Sequence, residues 1–158
     1  MAPNLVYLLI GSNLGDREHN LKIALEHLKE YNIIISKTSS IHNTSPWGFK
    51  DQPDFLNQAI EAFTTLEPYD LLKKLKNIEK QMGRIKSLKY GPRIIDIDII
   101  FYNDLILESE ELSIPHPLMH MRDFVLKPLY EIAPDFIHPK LNLSVRDLLI
   151  NLKDFHNH

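Results

Sequence analysis

The chain has 158 residues, 44% hydrophobic and 25% charged, the balance of one globular domain long enough to bury a core without staples. It contains no cysteine, which excludes both a disulfide framework and a thiolate nucleophile. A net charge of −3 argues against a nucleic-acid partner held by bulk charge. No apolar run approaches the length of a membrane span, and the opening Met1-Ala2-Pro3-Asn4 is too short for a signal peptide, so a soluble, cytoplasmic protein without a membrane partner is expected.

In chain order, Leu5 to Ile10 is a continuous apolar run closed by Gly11, the pattern of a buried strand. Gly11-Ser12-Asn13-Leu14-Gly15-Asp16 then turns the chain, with Asp16 suited to cap a helix whose apolar face is Leu21, Ala24, Leu25 and Leu28. Such a turn can cradle phosphate through its N–H groups, but here it reads as a plain strand-to-helix connection. Strands are expected at Ile33 to Ser40 and Phe55 to Thr65, separated by a proline-rich loop over 43–54 that holds the sole tryptophan, Trp47. A connection that long is uncommon and often functional. Pro68 opens a second helix with Leu71, Leu72, Leu75, Ile78 and Met82 on one face, ending at Gly83.

Eight of the 18 basic residues fall between Lys73 and Arg93, interrupted by one acid, Glu79. Lys73, Lys74 and Lys80 read as a solvated helix face. Arg84, Lys86 and Lys89 lie in the loop that feeds the next strand and would give a polyphosphate a local positive field.

That strand, Ile94 to Phe101, carries the chemistry. Asp96 and Asp98 stand at i and i+2 and so share a face, while Ile95, Ile97 and Ile99 point the other way into a core. Carboxylates inside an apolar strand are costly unless a cation pairs them. Two hard carboxylates suit Mg²⁺, which keeps waters and takes further ligands from phosphate oxygens. Arg93, just before the strand, offers a guanidinium that can fork onto a phosphate. Beyond it, Phe101 to Leu107 reads as a hairpin turning at Asn103-Asp104, then a short apolar segment over 112–114 enters Pro115-His116-Pro117. Of the eight histidines, only His116 sits in a motif; the others are expected on the surface or in the core. A last helix is expected near Ser144 to Leu152.

The run Lys89-Tyr-Gly-Pro-Arg-Ile-Ile-Asp-Ile-Asp-Ile-Ile100 resembles the signature of the 6-hydroxymethyl-7,8-dihydropterin pyrophosphokinase family. Three further blocks are similar to that family in the same order: Gly11 to Asp16, Asp51-Gln-Pro-Asp-Phe-Leu-Asn57, and Pro115-His-Pro117 with Met121 to Leu129. The resemblance implies transfer of pyrophosphate from ATP, as co-substrate, to the pterin's hydroxymethyl group, with two Mg²⁺ ions on Asp96 and Asp98. It implies that Arg84, Arg93, Asp96 and Asp98 are catalytic, and that Lys86, Lys89, Ile99, His116 and Arg122 join Arg84 and Arg93 in holding ATP. It implies that Phe55 and Phe124 sandwich 6-hydroxymethyl-7,8-dihydropterin, that Asn57 reads its edge and that Thr44 helps through its backbone. Lys86 and Lys89 stand where many relatives carry arginine, and a lysine is a point charge that cannot fork onto phosphate.

The implied fold class is α+β: a single domain over 1–158 with a ferredoxin-like βαββαβ core, a largely antiparallel sheet, an added hairpin and C-terminal helices, acting as a monomer. The loops 43–54 and 84–92 are expected to order over the site only when both substrates are bound, Trp47 over the pterin and the cations over the phosphates. Two other classes share parts of this pattern. A polymerase-β-type nucleotidyltransferase also pairs a Gly-Ser turn with an Asp-x-Asp strand, though there the two lie close in sequence. A ferredoxin-like RNA-binding module would want aromatics and a basic face on its sheet, against which the paired acids argue.

Overall fold

The structure is a computed structural model that describes residues 2–44, 53–83 and 93–156. Its main sheet has five strands: β1 (Asn4–Ser12), β2 (Ile33–Thr38), β3 (His42–Thr44), β4 (Phe55–Thr64) and β5 (Asp96–Tyr102). The order is β2-β4-β1-β5, all pairings are antiparallel, and β3 follows β2 along the same edge of β4. Helices α1 (Arg17–Glu30) and α2 (Pro68–Gln81) join strands that are not neighbours. A two-stranded sheet, β6 (Leu107–Glu108) with β7 (Ser113–Ile114), precedes α3 (Asp123–Ile132) and α4 (Val145–His156).

Strand alternation gives the sheet two apolar faces, each needing a helical layer. On one, Val6, Leu8 and Ile10 of β1 and Ile97 and Ile99 of β5 pack with Leu21, Ala24 and Leu28 of α1 and Leu71, Leu75 and Ile78 of α2. On the other, Tyr7, Leu9, Ala59 and Phe101 pack with Val125, Leu126 and Leu129 of α3 and Leu148, Leu149 and Leu152 of α4. Burying a side chain of this size stabilises by about 1.5–3 kcal/mol, so both layers are held chiefly by area. A bulge in β5 lets it serve both cores: Leu8 pairs with Ile99 but Tyr7 with Phe101, so Ile100 is the extra residue. Ile100 and Phe101 then both face the second core, and Tyr102 returns to the first.

Local signals account for most boundaries. Asp16 caps α1, its carboxylate accepting from the His19 N–H at 3.2 Å. Pro68 opens α2, and Gly83 lies just past it at φ +87°, the left-handed backbone that favours glycine. The Ser144 hydroxyl accepts from Asp147 N–H at 3.0 Å at the start of α4. The structure departs from expectation in four places. Strand β2 stops at Thr38, because from Ser39 the chain is bonded differently: Ser39 N–H meets the Ala59 carbonyl and its hydroxyl accepts from Ala59 N–H. Asn43 and Thr44, expected as the start of the loop, form β3 with His42. The turn at Asn103-Asp104 exists, but no hairpin forms across it: the partner of β6 is β7, not β5. Asn103, at φ 47°, bonds back to β1 through both its backbone and its side chain. Finally, of the expected C-terminal helices only the one near 144–152 has a local sequence signal; α3 forms with Pro128 inside it, because burial of Val125, Leu126, Pro128 and Leu129 outweighs the backbone bond that proline removes.

Candidate active site

One transverse row of the sheet organises the site. Antiparallel partners share a face, and the register sets His42 opposite Asn57, Asn57 opposite Gly11 and Gly11 opposite Asp96. In the next row on that face Ala59, Leu9 and Asp98 are aligned. Neighbouring strands lie about 4.8 Å apart, so the backbones of Asn57 and Asp96 are separated by about 10 Å across Gly11. Both aspartates fall on the face that α3 and α4 cover further along. Asp98 is exposed and Asp96 half-buried, while Ile97 between them is in the opposite core.

Gly11 is required for a spatial reason. A Cβ there would lie 2.7 Å from Asn57 Oδ1 and 3.6 Å from the Phe55 ring. Its bare backbone makes room for the Asn57 amide, which is 4% exposed and donates to the Thr44 hydroxyl at 2.7 Å. Thr44 thus meets the site through its hydroxyl, which holds the Asn57 amide, whereas the expected contact is its backbone. Phe55, half-buried, pairs with Thr44 in the register and shares the face of Asn57.

At the other end of the row, Arg93 Nε stands 3.9 Å from Asp96 Oδ1, with the Arg93 side chain only 12% exposed. Its backbone is clamped by Asn13: Arg93 N–H donates to Asn13 Oδ1 at 2.7 Å, and Asn13 N–H to the Arg93 carbonyl at 3.0 Å. Glu79, on α2 and 2% exposed, accepts from the Ile97 N–H at 2.8 Å, the peptide between the two aspartates. Because β5 is the last strand in the order, this carboxylate does for its outer side what a sixth strand would do.

Further along β5, His116 N–H donates to the Ile100 carbonyl at 3.1 Å. Burial, and then the nearby Arg122 guanidinium, push the His116 imidazole down to about 4, so it is neutral at pH 7. Its Nδ1 is buried without a hydrogen-bond partner among the described residues, which leaves a polar atom for a ligand to satisfy. The Arg122 guanidinium lies 5.6 Å over the Phe124 ring at the start of α3. His116, Arg122 and Phe124 are thus one group. Beside His116 a cavity of about 320 Å³ opens, lined in part by Glu108, Ser113, Pro117, His120 and His138. The Ile99 side chain is in the opposite core, so only its main chain is available to a nucleotide. Arg84, Lys86 and Lys89 lie outside the described residues, as do Trp47 and most of both expected covering loops.

Among the described residues no group of three or more His, Cys, Asp or Glu is arranged to hold a metal ion. Two carboxylates on one face instead fit Mg²⁺, which completes its shell with water and phosphate. Reasoning from the sequence missed the structural parts of the site, namely Gly11 as a steric gap, Asn13 as a clamp and Glu79 as an edge partner. Their only signal was membership of the Gly11–Asp16 block and a lone acid in a basic stretch.

The chain is thus a small domain of helices packed on an antiparallel sheet, with aromatic, amide, guanidinium and carboxylate side chains gathered along one sheet face, groups suited to binding a small polar molecule. Residues 7–134 match the model of the 7,8-dihydro-6-hydroxymethylpterin-pyrophosphokinase (HPPK) family, and the chain belongs to that family of ATP-dependent pyrophosphokinases of folate biosynthesis. It is 46% identical over 134 residues to the Aquifex aeolicus 2-amino-4-hydroxy-6-hydroxymethyldihydropteridine pyrophosphokinase, covering 85% of this chain and 83% of that one. The Bacillus subtilis protein of the same name is 44% identical, covering 82% and 78%. The folic acid synthesis protein FOL1 of Dictyostelium discoideum is 48% identical over 94% of this chain, which spans 22% of that longer protein. A crystal structure of Plasmodium falciparum HPPK-DHPS superposes with a TM-score of 0.78 at 21% identity, covering 98% of this chain and 45% of that one, a likeness of fold.

Proposed function

We propose that this chain transfers a pyrophosphoryl group from ATP to the hydroxymethyl oxygen of 6-hydroxymethyl-7,8-dihydropterin. The oxygen attacks the β-phosphorus, the bond from that phosphorus to the α,β-bridging oxygen breaks, and AMP leaves. The observation that carries this reading is the row Asn57–Gly11–Asp96, in which the backbones of the residue read as the edge reader and the residue read as the phosphate-side carboxylate lie about 10 Å apart on one sheet face.

Phe55 and Phe124 supply the faces of the pterin site, and Asn57, oriented by Thr44, reads its edge. Arg93 and Arg122 steady phosphate oxygens, joined by Arg84, Lys86 and Lys89 of the basic segment. His116 donates or accepts through its uncharged ring. Asp96 and Asp98 would hold Mg²⁺, two ions in all, which when bound neutralises phosphate charge. The protein's own contribution is orientation and fixed charge, which suffices for phosphoryl chemistry of this kind. The cavity beside His116 is of a size to take the nucleoside end of ATP.

The strand order β2-β4-β1-β5 with α1 and α2 on one face supports a ferredoxin-like core. We read residues 1–158 as one such domain, a monomer in the cytoplasm that binds small molecules and not nucleic acid. The test is product analysis with ATP, Mg²⁺ and the pterin alcohol. AMP formed only in the presence of the pterin supports the reading. Released pyrophosphate with a nucleotidylated product would replace it with nucleotidyl transfer.

A further inference from the structure

We infer that Asn13 is a positioning residue that sets the acceptor side of the site against the phosphate side. Its side chain is fully buried and bonds in two directions. Oδ1 accepts from Arg93 N–H at 2.7 Å, and Nδ2 donates to the Pro53 carbonyl at 3.1 Å. Its backbone N–H adds the bond to the Arg93 carbonyl. Pro53 is two residues before Phe55 and four before Asn57; Arg93 is three before Asp96. One planar amide thus spans the two chain segments that enter the two halves of the row, and Arg93 is held by both of its backbone polar groups.

Neighbouring contacts extend the brace. Arg17 Nη1 donates to the Asp54 carbonyl at 2.8 Å, pinning the same segment from α1. The Asn20 amide donates to Ser12 Oγ at 3.1 Å and to the Leu14 carbonyl at 2.8 Å, fixing the turn from which Asn13 projects. No ladder of the sheet does this work, since Pro53, Asp54 and Arg93 all lie outside the strands. Asn is suited to the place because its amide accepts on one side and donates on the other. Aspartate, leucine and alanine each lose at least one of the two bonds.

In-line displacement depends on the relative placement of attacking oxygen and phosphorus, and a misplacement of about 1 Å can cost on the order of a hundredfold in rate. The inference rests on the reading of Asn57 and Arg93 as facing the two substrates. Its consequence is specific. Each half of the site stays intact without Asn13, so each substrate should still bind, while the transfer step slows.

The experiment measures kcat, the binary dissociation constants for the pterin and for Mg²⁺ with a non-hydrolysable ATP analogue, and the melting temperature of Asn13→Ala. The expected result is a kcat lowered roughly 10- to 100-fold, with both dissociation constants within about threefold of the parent. Arg93→Ala should also cost much less in the Asn13→Ala background than alone, because a mispositioned guanidinium has little left to lose. Should Asn13→Ala not fold, Asn13→Asp keeps the acceptor for Arg93 but loses the donor to Pro53, and Arg17→Ala loosens the same segment from outside. Both should lower kcat in the same sense. An unchanged kcat per folded molecule, additive losses with Arg93→Ala, or a loss confined to the affinity of one substrate would each overturn the inference. In those cases the parent protein still makes AMP with the pterin; a parent that does not would sink the functional reading itself, and this inference with it.

Discussion

Gly11 and the two aspartates show how much single atoms decide here. A methyl group at Gly11 would meet Asn57 Oδ1 at 2.7 Å, closer than a Cβ contact can be, and the Asn57 amide is held on its other side by Thr44. Gly11→Ala should therefore leave a folded protein with a displaced amide. Pterin affinity should fall about ten- to a hundredfold for one or two lost hydrogen bonds, with ATP affinity little changed; paired calorimetric titrations check this. Equal loss for both substrates would place the damage in the sheet rather than in the amide. Asp96→Asn and Asp98→Asn remove one negative charge each from a face where two like charges sit. Asp98→Asn should not lower the melting temperature, Asp96→Asn should lower it only slightly because Arg93 loses a carboxylate neighbour, and in both most activity should go. EDTA should abolish turnover and Mg²⁺ restore it. Full activity under any of these conditions would falsify the metal assignment.

Helices on both faces of the sheet carry parts of the site. From the first, α2 reaches β5 through Glu79, whose carboxylate takes the Ile97 N–H and is paired by Lys76 at 3.5 Å. Glu79→Ala leaves that N–H buried without its acceptor, a cost of about 1–3 kcal/mol in urea unfolding. Glu79→Gln, which can still accept, should be milder; if the two variants are equally destabilised, the bond to Ile97 is not what Glu79 is for. On the second face, α3 holds Phe124 at its first turn, and its far end is tied to the strand side by Glu131. That carboxylate is raised by burial but more strongly lowered by its contacts with His42 and Ser40, so it stays ionised. Phe124→Ala should weaken pterin binding by about 0.5–1.5 kcal/mol for lost stacking plus a burial term. An equal fall in ATP affinity would instead make the ring part of the core.

Across the whole molecule, two histidines, His138 buried and His116 half-buried, link folding to pH. His138, 4% exposed, accepts from Lys140 and Leu141 N–H on Nδ1 and stacks edge-on against Phe101. Burial first, then His120, push it down from 6.5 to about 4, and burial with Arg122 does the same to His116. Between those values the unfolded chain binds protons that the folded one refuses. The stability is fully present above pH 6.5 and is lost as pH falls toward 4, at up to about 1.4 kcal/mol per pH unit for each histidine. Urea midpoints at pH 7, 5.5 and 4.5 should fall in that order, and His138→Gln should flatten the trend. A midpoint constant over that range would show that neither ring is held neutral.

Most of the frame was legible from the chain alone, because period and punctuation are local. Alternation placed Ile95, Ile97 and Ile99 in one core and the aspartates on the other face; Asp16, Pro68 and Gly83 marked helix ends by their own chemistry. Four motif blocks in order were enough to indicate the family. What needed the tertiary structure was everything set by register and by contact between distant segments. Asn57, Gly11 and Asp96 come into one row only because β1 pairs with both β4 and β5. The bulge at Ile100, the pairing of β6 with β7 and the survival of α3 around Pro128 are all settled by packing against residues far along the chain. Asn13 shows the limit most clearly. Within its turn it reads as one more polar residue, and only the folded chain brings Pro53 and Arg93 to opposite edges of its amide.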